Sequence, residues 1–240
     1  MFTGIVAETA KIVEVIRGDR SARIAVQRVA CLAEPLDVGA SVSIDGVCLT
    51  VETKEDDVVW FDVIASTLDR TTLSRAEAGQ VVNLERSFSE GDEIGGHIVS
   101  GHVDAAGKIL DVEVMKDNCR IAIQLDPKWM RYVFEHGFIA INGCSLTVNQ
   151  VDRAESWFDV WLIPETLRRT NLNAFKQGGF ANVEIPRDQQ VQVDTVYAAV
   201  TDTLTAWLEK NKASNLELDG LVKSLIQATP KGKKISNDRS

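Results

Sequence analysis

The chain has three histidines, and each lies beside a short motif rich in glycine or serine. His97 and His102 fall within Gly95-Gly96-His97-Ile98-Val99-Ser100-Gly101-His102, and His136 precedes Gly143-Cys144-Ser145. Imidazole moves protons near neutral pH, and glycine lets a backbone approach a ligand closely. These residues therefore indicate acid–base chemistry on a bound small molecule, although any one of them alone could be an ordinary polar residue at a turn.

A thiol and a hydroxyl occupy matching positions in two copies of one motif. Gly46-Val47-Cys48-Leu49-Thr50-Val51 returns as Gly143-Cys144-Ser145-Leu146-Thr147-Val148, which puts Ser145 in the place of Cys48. Different side chains at this one point predict two pockets with different tasks. The alternative for Cys48 is a small buried hydrophobic residue, the commoner role of an isolated cysteine.

The motif is part of a longer internal repeat. Residues 67–73 return as residues 166–172, and Thr3-Gly4-Ile5-Val6 lines up with Ser100-Gly101-His102-Val103. A period near 97 residues suits a duplicated small domain, because solenoid repeats run ~20–50 residues. We expect one domain at residues 1–97, a second at 98–187, a helix at 188–212 and a tail at 213–240.

Each half contains short segments with the composition of β-strands. They cover residues 40–44, 47–51, 58–63 and 81–84 in the first half and 138–141, 145–148 and 157–162 in the second. Such runs of Val, Ile and aromatic residues between Gly or Asp predict an all-β antiparallel barrel or sandwich. Short helices are expected near 127–134 and 71–76. A glycine-rich loop between a strand and a helix is missing, which argues against a doubly wound dinucleotide-binding fold.

The C-terminal part follows a helical pattern. Apolar residues recur on one face of a helix of ~5 turns at Val193, Val196, Tyr197, Val200, Leu204, Trp207 and Leu208. This face could pack on the barrels of its own chain. Its Trp and Tyr favour contact with other copies instead, because aromatic residues are enriched at interfaces. A further short helix is expected within 216–226, and a mobile tail at 230–240.

Composition and charge exclude several functional classes. A hydrophobic fraction of 45% and a charged fraction of 25% are those of a globular protein, and a net charge of −9 argues against nucleic acid or an anionic membrane as the main partner. No signal peptide and no membrane-spanning segment is evident in the sequence. The four scattered cysteines favour reduced thiols over a zinc site. We expect a cytoplasmic protein without a metal.

Taken together, the motifs resemble the alpha-type riboflavin synthase family. The resemblance rests on Met1-Phe2-Thr3-Gly4-Ile5-Val6, both Leu-Thr-Val motifs, Gly95-Gly96-His97 with Ser100-Gly101-His102-Val103-Asp104, and Leu162-Ile163-Pro164-Glu165-Thr166-Leu167. It runs in order from residue 1 to about 208 and includes the duplication. Several motifs in register are far more specific than any one alone.

The resemblance implies a fold and a reaction. It implies two tandem six-stranded antiparallel Greek-key barrels and a C-terminal oligomerisation helix that ties three chains into a homotrimer. The implied reaction is a dismutation of 6,7-dimethyl-8-ribityllumazine that needs no cofactor, in which one lumazine gives a four-carbon unit to the other. The products are riboflavin and 5-amino-6-ribitylamino-2,4-pyrimidinedione. The implied working site pairs the first barrel of one chain with the second barrel of a neighbour.

The resemblance also implies the residues of the site. One lumazine pocket is expected from Gly4, Ile5, Val6, Cys48, Leu49, Thr50, Asp62, Val63, Ile64, Ala65, Ser66 and Thr67. The other is expected from Gly101, His102, Val103, Ser145, Leu146, Thr147, Asp159, Val160, Trp161, Leu162, Ile163 and Pro164, with His136 reaching across the interface. As catalytic residues we expect Cys48 and Ser145 to act as nucleophiles or to position one, His102 to transfer a proton, and Thr147 to polarise the substrate.

Three positions depart from the family pattern. The chain has His136, Asn142 and Pro186 where many relatives carry Lys, Asp and Asp. Since proline cannot transfer a proton, Asp188, another residue or water would have to supply the acid. An alternative is therefore a non-catalytic lumazine- or flavin-binding protein of the antenna type. A purely structural double barrel would not explain why all three histidines lie beside the repeated motifs.

Overall fold

A computed structural model describes residues 1–33 and 35–211, with the side chains up to residue 207. The first half contains the strands β1 (Glu8–Arg17), β2 (Ser21–Gln27), β3 (Ser41–Ile44), β4 (Val47–Lys54), β5 (Val58–Ile64) and β6 (Val81–Arg86). The second half contains β7 (Ala105–Val114), β8 (Cys119–Gln124), β9 (Phe138–Ile141), β10 (Cys144–Asp152), β11 (Trp157–Leu162) and β12 (Phe180–Glu184). The predicted runs thus all fall on strands.

Each set of six strands closes into an antiparallel barrel. The order around the first barrel is β1-β2-β5-β4-β3-β6, and the second barrel repeats this circular order as β7-β8-β11-β10-β9-β12. In each barrel three consecutive hairpin-connected strands are joined by a strand that returns from further along the chain, which is the Greek-key arrangement. The predicted all-β fold of two six-stranded Greek-key barrels is confirmed.

Alternation along the strands separates the barrel cores from the outward-facing residues. In β4, Val47, Leu49 and Val51 are buried, whereas Cys48 is half-buried and Thr50 is exposed. The same alternation in β10 buries Leu146 and Val148 and leaves Thr147 exposed. The repeated Leu-Thr-Val motif therefore anchors its strand in the core and presents polar groups on the outside.

The helices between the strands are short. They are α1 (Ala65–Leu68), α2 (Pro127–Met130) and α3 (Pro164–Arg169), with 3-10 turns at Ala30–Leu32, Thr72–Arg75 and Asn171–Ala174. The helix expected at 127–134 stops after one turn, because Tyr132 and Val133 donate to carbonyls three residues earlier rather than four. The helix expected at 71–76 is a 3-10 turn, capped by the hydroxyl of Thr71.

The predicted C-terminal helix is confirmed as α4 (Arg187–Asn211). Residues 1–190 form one compact unit, and α4 from Val191 onward belongs to a second. Val196, Tyr197, Val200 and Trp207 are at least half exposed. The helix and tail expected after residue 212 lie outside the described residues. Among the helices that are described, none is long and apolar enough to cross a membrane.

Two tight turns meet between the barrels. Asp45-Gly46 joins β3 to β4, Asn142-Gly143 joins β9 to β10, and all four residues have positive φ angles of 46–80°. Positive φ at both central residues defines the type I′ hairpin turn, for which Asp-Gly and Asn-Gly are favoured. A Cβ on Gly46 would lie 2.6 Å from the backbone N of Gly143. The two turns are therefore in direct backbone contact, and we call this contact the seam.

Buried amides tie the seam to both barrels. Asn83 on β6 donates its backbone N–H to Asp45 Oδ1 (2.8 Å) and its Nδ2 to the carbonyl of Asn142 (2.9 Å). Asn182 on β12 makes the mirror-image pair, to Asn142 Oδ1 (2.8 Å) and to the carbonyl of Asp45 (2.8 Å). Each asparagine thus holds the turn of its own barrel and reaches the turn of the other.

The contact at the seam predicts a position-specific effect of adding one methyl group. We expect Gly46→Ala to destabilise the protein by at least ~2 kcal/mol more than Gly79→Ala. Both glycines have positive φ (80° and 89°), but a Cβ at Gly79 would have nothing within 4 Å, so that variant measures backbone strain alone. Urea unfolding of the two variants checks this. Equal losses would show that the backbone contact contributes nothing beyond strain.

Candidate active site

One cavity lies on the outside of the first barrel. It has a volume of about 530 Å³, within the usual range for small-molecule sites. Six residues expected at a pocket line it: Cys48, Leu49, Thr50, Asp62, Ile64 and Thr67. Its remaining walls are Val38, Gly39, Val51 and Glu52, which sequence reasoning missed. We call this the first cavity.

A second cavity of about 540 Å³ lies on the second barrel. Seven expected residues line it: Ile5, His136, Ser145, Leu146, Thr147, Trp161 and Ile163. Gly95, Gly96, Phe138, Val148, Asn149 and Thr166 complete it. Thr166 corresponds to Thr67 in the repeat, and that correspondence is the signal that could have found it.

The segments before β1 and β7 cross to the opposite barrel. The backbone N–H of Ser145 donates to the carbonyl of Gly4 (2.8 Å), and that of Cys48 donates to the carbonyl of Gly101 (2.9 Å). A Cβ on Gly4 would lie 2.6 Å from that of Ser145, and one on Gly101 2.5 Å from that of Cys48. The predicted grouping of residues 4–6 with Cys48 and of 101–103 with Ser145 is therefore wrong. The repeat shows which segments correspond, but not which barrel each one contacts.

Two buried carboxylates hold the crossing segments. Glu85 accepts from the backbone N–H and hydroxyl of Thr3 (2.6 and 2.7 Å) and from the N–H of Gly4 (3.1 Å). Glu184 makes the corresponding bonds to the N–H and hydroxyl of Ser100 (2.6 and 2.8 Å). Burial raises the pKa of both glutamates, while these donors oppose the rise. The Glu at the end of the last strand in each barrel thus fixes the glycine that contacts the other barrel.

Within the continuous ranges that were expected to line the pockets, successive side chains point alternately into the barrel core and out toward the cavity. Val63, Val160 and Leu162 point into the barrel cores with at most 1% of their surface exposed. Their neighbours Ile64 and Ile163 are exposed and line the cavities. Because side chains alternate, only the backbone of the core residues can reach a ligand. Five further expected residues are not among those that line either cavity: Val6 and Val103 are buried, Ala65 and Ser66 lie in α1, and Pro164 begins α3.

The two cavities differ in a corresponding pair of aspartates. Asp62 lines the first cavity with 65% of its side chain exposed. Asp159 is 1% exposed and accepts from Arg120 Nε (2.7 Å), Asn149 Nδ2 (2.9 Å) and the N–H of Gln150 (3.0 Å). Its expected place in a pocket wall is therefore corrected to a structural role. The carboxylate of Asp62 is therefore available to a ligand in the first cavity, whereas that of Asp159 is not available in the second.

Ser145 in the wall of the second cavity is paired with the buried His97, which does not itself line the cavity. His97 Nδ1 lies 2.6 Å from Ser145 Oγ, and the His97 ring stacks on Phe138 with centroids 5.2 Å apart. Burial lowers the pKa of His97, and the nearby charge of Asp188 partly opposes this. A neutral imidazole at this distance can accept the hydroxyl proton of Ser145. Sequence reasoning singled out His97 but not its pairing with Ser145.

The remaining expected catalytic residues divide between the cavities. Cys48 and Thr147 line the first and second cavity respectively. His102 is exposed and follows Gly101, which contacts Cys48, so it lies near the first cavity. His136 is exposed at the second cavity of its own chain. Its reach to a neighbouring chain stays a prediction.

A larger recess of about 740 Å³ adjoins the second cavity at Ile5 and Gly95. It holds none of the four expected catalytic residues, so size alone does not locate the chemistry. Across the part of the chain whose side chains are described, no cluster of three or more His, Cys, Asp or Glu could hold a metal ion. All four cysteines are free thiols.

Sequence comparison places the chain among known proteins. The family profile described as the lumazine binding domain matches residues 3–87 and again residues 100–188. The riboflavin synthase of Chlamydia pneumoniae is 39% identical over 196 residues, which is 82% of this chain and 95% of that protein. The riboflavin synthase of Escherichia coli K12 is 40% identical over 197 residues, 82% of this chain and 92% of the relative.

Solved structures share the fold at lower identity. LumP complexed with 6,7-dimethyl-8-(1'-D-ribityl) lumazine superposes with a TM-score of 0.71 at 23% identity. LumP complexed with riboflavin gives 0.72 at 24%. Each comparison covers 78% of this chain and 100% of the LumP chain. At this identity the likeness shows the fold alone.

The effect of the Asp188 charge on His97 predicts a measurable change in the pKa of His97 when that charge is removed. Asp188→Asn should lower the pKa of His97 further, because it removes the negative charge that opposes desolvation. NMR titration of the His97 ring checks this. The control is Asp117→Asn, in the exposed bend between β7 and β8. A pKa of His97 that moves equally in both variants, or in neither, would contradict the assignment.

Proposed function

Because the chain belongs to the riboflavin synthase family, we propose that it converts two molecules of 6,7-dimethyl-8-ribityllumazine into riboflavin and 5-amino-6-ribitylamino-2,4-pyrimidinedione. The observation that carries this proposal is a pair of similar cavities, one on each barrel, with Cys48 in the wall of one and Ser145, which pairs with His97, in the wall of the other. Two copies of one substrate in opposite roles need two related sites with different polar groups.

Orientation of the two lumazines supplies much of the catalysis. Holding two reactants in a productive geometry can contribute ~7–11 kcal/mol to lowering a barrier. Each cavity combines apolar walls with a few hydroxyls, as sites for flat heterocycles usually do. In the first, Thr50 and Thr67 can bond ligand oxygens. In the second, Thr147 and Thr166 are in the corresponding positions.

The polar groups suggest how the roles divide. At the second cavity, the buried neutral His97 accepts the proton of Ser145, so the serine oxygen can act as a nucleophile or position one. Cys48 has the matching place in the first cavity, and His102, close to it, is the proposed proton-transfer group. Thr147 polarises the ligand in the second cavity. The proposed pocket residues are those of the two expected ranges without Asp159, regrouped according to the crossing segments.

Asp188 is the proposed replacement for the acid missing at Pro186. It lies in the first turn of α4 and its charge acts on His97. Pro186 offers only its carbonyl, which accepts from the N–H of Gln190 (3.2 Å). Asp188 lies two positions after Pro186 and close enough for its charge to act on His97, so it can supply the proton transfer at the second cavity.

We further propose a homotrimer, with the first cavity of one chain facing the second cavity of its neighbour. The exposed apolar residues of α4 support this, since Val196 and Val200 are 64% and 52% exposed. Trimer formation would then complete the working site. The domain boundaries at residues 97 and 187 and a cytoplasmic location stay predictions.

Riboflavin formation by the pure protein tests the proposed function. In single-turnover reactions with the lumazine, Asp188→Asn should lower the rate by ~10²–10⁴-fold, the usual contribution of general acid–base assistance. Pro186→Asp should add little, because Asp188 already fills the role. Binding of the lumazine without any riboflavin would favour the non-catalytic alternative. A normal rate in Asp188→Asn would move the proton transfer elsewhere, with His102 the next residue to test.

The trimer has its own test. Replacing Val196 and Val200 together by Asp should give monomers, because two charges would have to be buried in the proposed helix interface. Replacing the exposed Thr195 and Thr201 by Asp adds the same charge near the same part of α4 and serves as the control. Sedimentation velocity measures the mass. A trimer that survives the Val196/Val200 change refutes the role of this face.

A further inference from the structure

We propose that Asp45 is a positioning residue shared by both cavities, and that the proton on its carboxyl keeps the two barrels in contact at the seam. In this proposal the protonated side chain lets the two turns close on each other. Ionisation loosens the contact and with it the placement of Cys48 and Ser145. The effect on turnover rests on the proposed function, whereas the effect on the seam does not.

The two turns of the seam make nearly the same contacts, but they differ in the residue before the glycine, which is Asp45 in one turn and Asn142 in the other. Asp45 and Asn142 occupy corresponding turn positions and accept equivalent bonds from the backbone N–H groups of Asn83 and Asn182, both 2.8 Å long. One side has a carboxyl and the other an amide. Asparagine therefore fits this turn, so an acid is not required merely to form it.

A third amide bridges the two turn residues. Asn171 donates its Nδ2 to Asp45 Oδ1 (2.8 Å) and accepts at its Oδ1 from Asn142 Nδ2 (3.3 Å). Thr72 corresponds to Asn171 in the repeat and donates its backbone N–H to Asn182 Oδ1 (2.7 Å). One bridging amide needs an acceptor on one side and a donor on the other. Asp45 and Asn142 provide these two groups.

The second oxygen of Asp45 is left without a partner. Asp45 is 1% exposed, and among the described residues its Oδ2 makes no hydrogen bond. An uncompensated buried charge is far more costly than a buried neutral hydroxyl, because the charge loses its hydration. The protonated form is therefore the one that the closed seam tolerates.

The seam is close in sequence to both reactive side chains. Cys48 follows Asp45 by three residues on β4, and Ser145 follows Asn142 by three on β10. The backbone of each is also held by a crossing segment, through Gly101 and Gly4. A shift of the paired turns would therefore move both residues at once, in opposite barrels.

Burial raises the pKa of Asp45 to about 7, against the hydrogen bonds from Asn83 and Asn171 that lower it. The unfolded chain releases this proton near pH 3.9. The pKa of Asp45 is therefore higher in the folded protein than in the unfolded chain. Its proton stabilises the folded protein fully below about pH 4. This stabilisation is lost progressively as the pH rises to about 7.

The groups that face Asp45 are amides and backbone, from β6, β12, the β9–β10 turn and the 3-10 turn Asn171–Ala174. The carboxyls on β6 and β12, Glu85 and Glu184, bond the crossing segments instead. Burial raises the pKa of both and that of Asp104, so they titrate in the same direction. The test therefore depends on the difference between matched variants.

The experiment compares the full chain with Asp45→Asn, Asn142→Asp and the double exchange of the two residues. The pH dependence of urea unfolding is measured from pH 4 to 8, and the single-turnover rate at pH 6 and 8. The protonated fraction of a group with a pKa of about 7 falls about tenfold between these two pH values. We expect the parent chain to react about ten times faster at pH 6 than at pH 8. In Asp45→Asn this difference should disappear, and the free energy of unfolding should depend less on pH.

The double exchange keeps the proposal testable if one single variant folds poorly. It returns one acid to the seam, where a protonated Asp at 142 can donate to Asn171, so the pH dependence should reappear. Asn142→Asp alone should make the pH dependence of unfolding steeper, because it places a second acid at the seam. An Asp45→Asn protein that unfolds with the pH profile of the parent chain would overturn the proposal. If the unfolding profiles change as expected but no variant makes riboflavin, the proposed function fails and the role at the seam stands.

Discussion

The close approach of Gly46 and Gly143 is the constraint on which the arrangement of the site depends. No side chain fits between the two turns, since a Cβ on Gly46 would lie 2.6 Å from the Gly143 nitrogen. Contact at this distance buries the backbone carbonyls of both turns, which must then find hydrogen-bond donors within the protein. The asparagines of β6 and β12 supply these donors, and each bonds both turns. The barrels are therefore joined by directional bonds rather than by apolar packing alone.

Duplication produced two cavities of one architecture, and a few substitutions made their chemistry different. Asp62 remains exposed at the first cavity, whereas the corresponding Asp159 is drawn into bonds with Arg120 and Asn149. Ser145 has a neutral histidine as its partner, and Cys48 contacts the glycine of a crossing segment. Cavities of one architecture with different polar groups suit two identical molecules that must react in opposite senses.

The strand segments predicted from the sequence fall on β3 to β6 and on β9 to β11, whereas β1, β2, β7 and β8 were missed. β1 and β7 each shift register by one residue, between Ile12 and Glu14 and between Ile109 and Asp111, so their two-residue period breaks midway. The six-stranded count came from the family resemblance. The pocket ranges were also predicted, but alternation turned Val63 and Val160 into the cores. The crossing of the segments could not be predicted, because a repeat reports correspondence and not contact.

The crossing segments make the two halves interdependent. The sequence repeat divides near residue 97, yet Gly101 beyond that point contacts Cys48, and Gly4 from the first half contacts Ser145. Phe2 and Val99 also pair with each other through two backbone hydrogen bonds of 2.8 and 2.9 Å. A first barrel cut at residue 97 would lose the carbonyl that accepts from the N–H of Cys48. The unit that keeps this support of Cys48 therefore extends to at least Gly101, and each barrel depends on a segment that belongs to the other half of the sequence repeat.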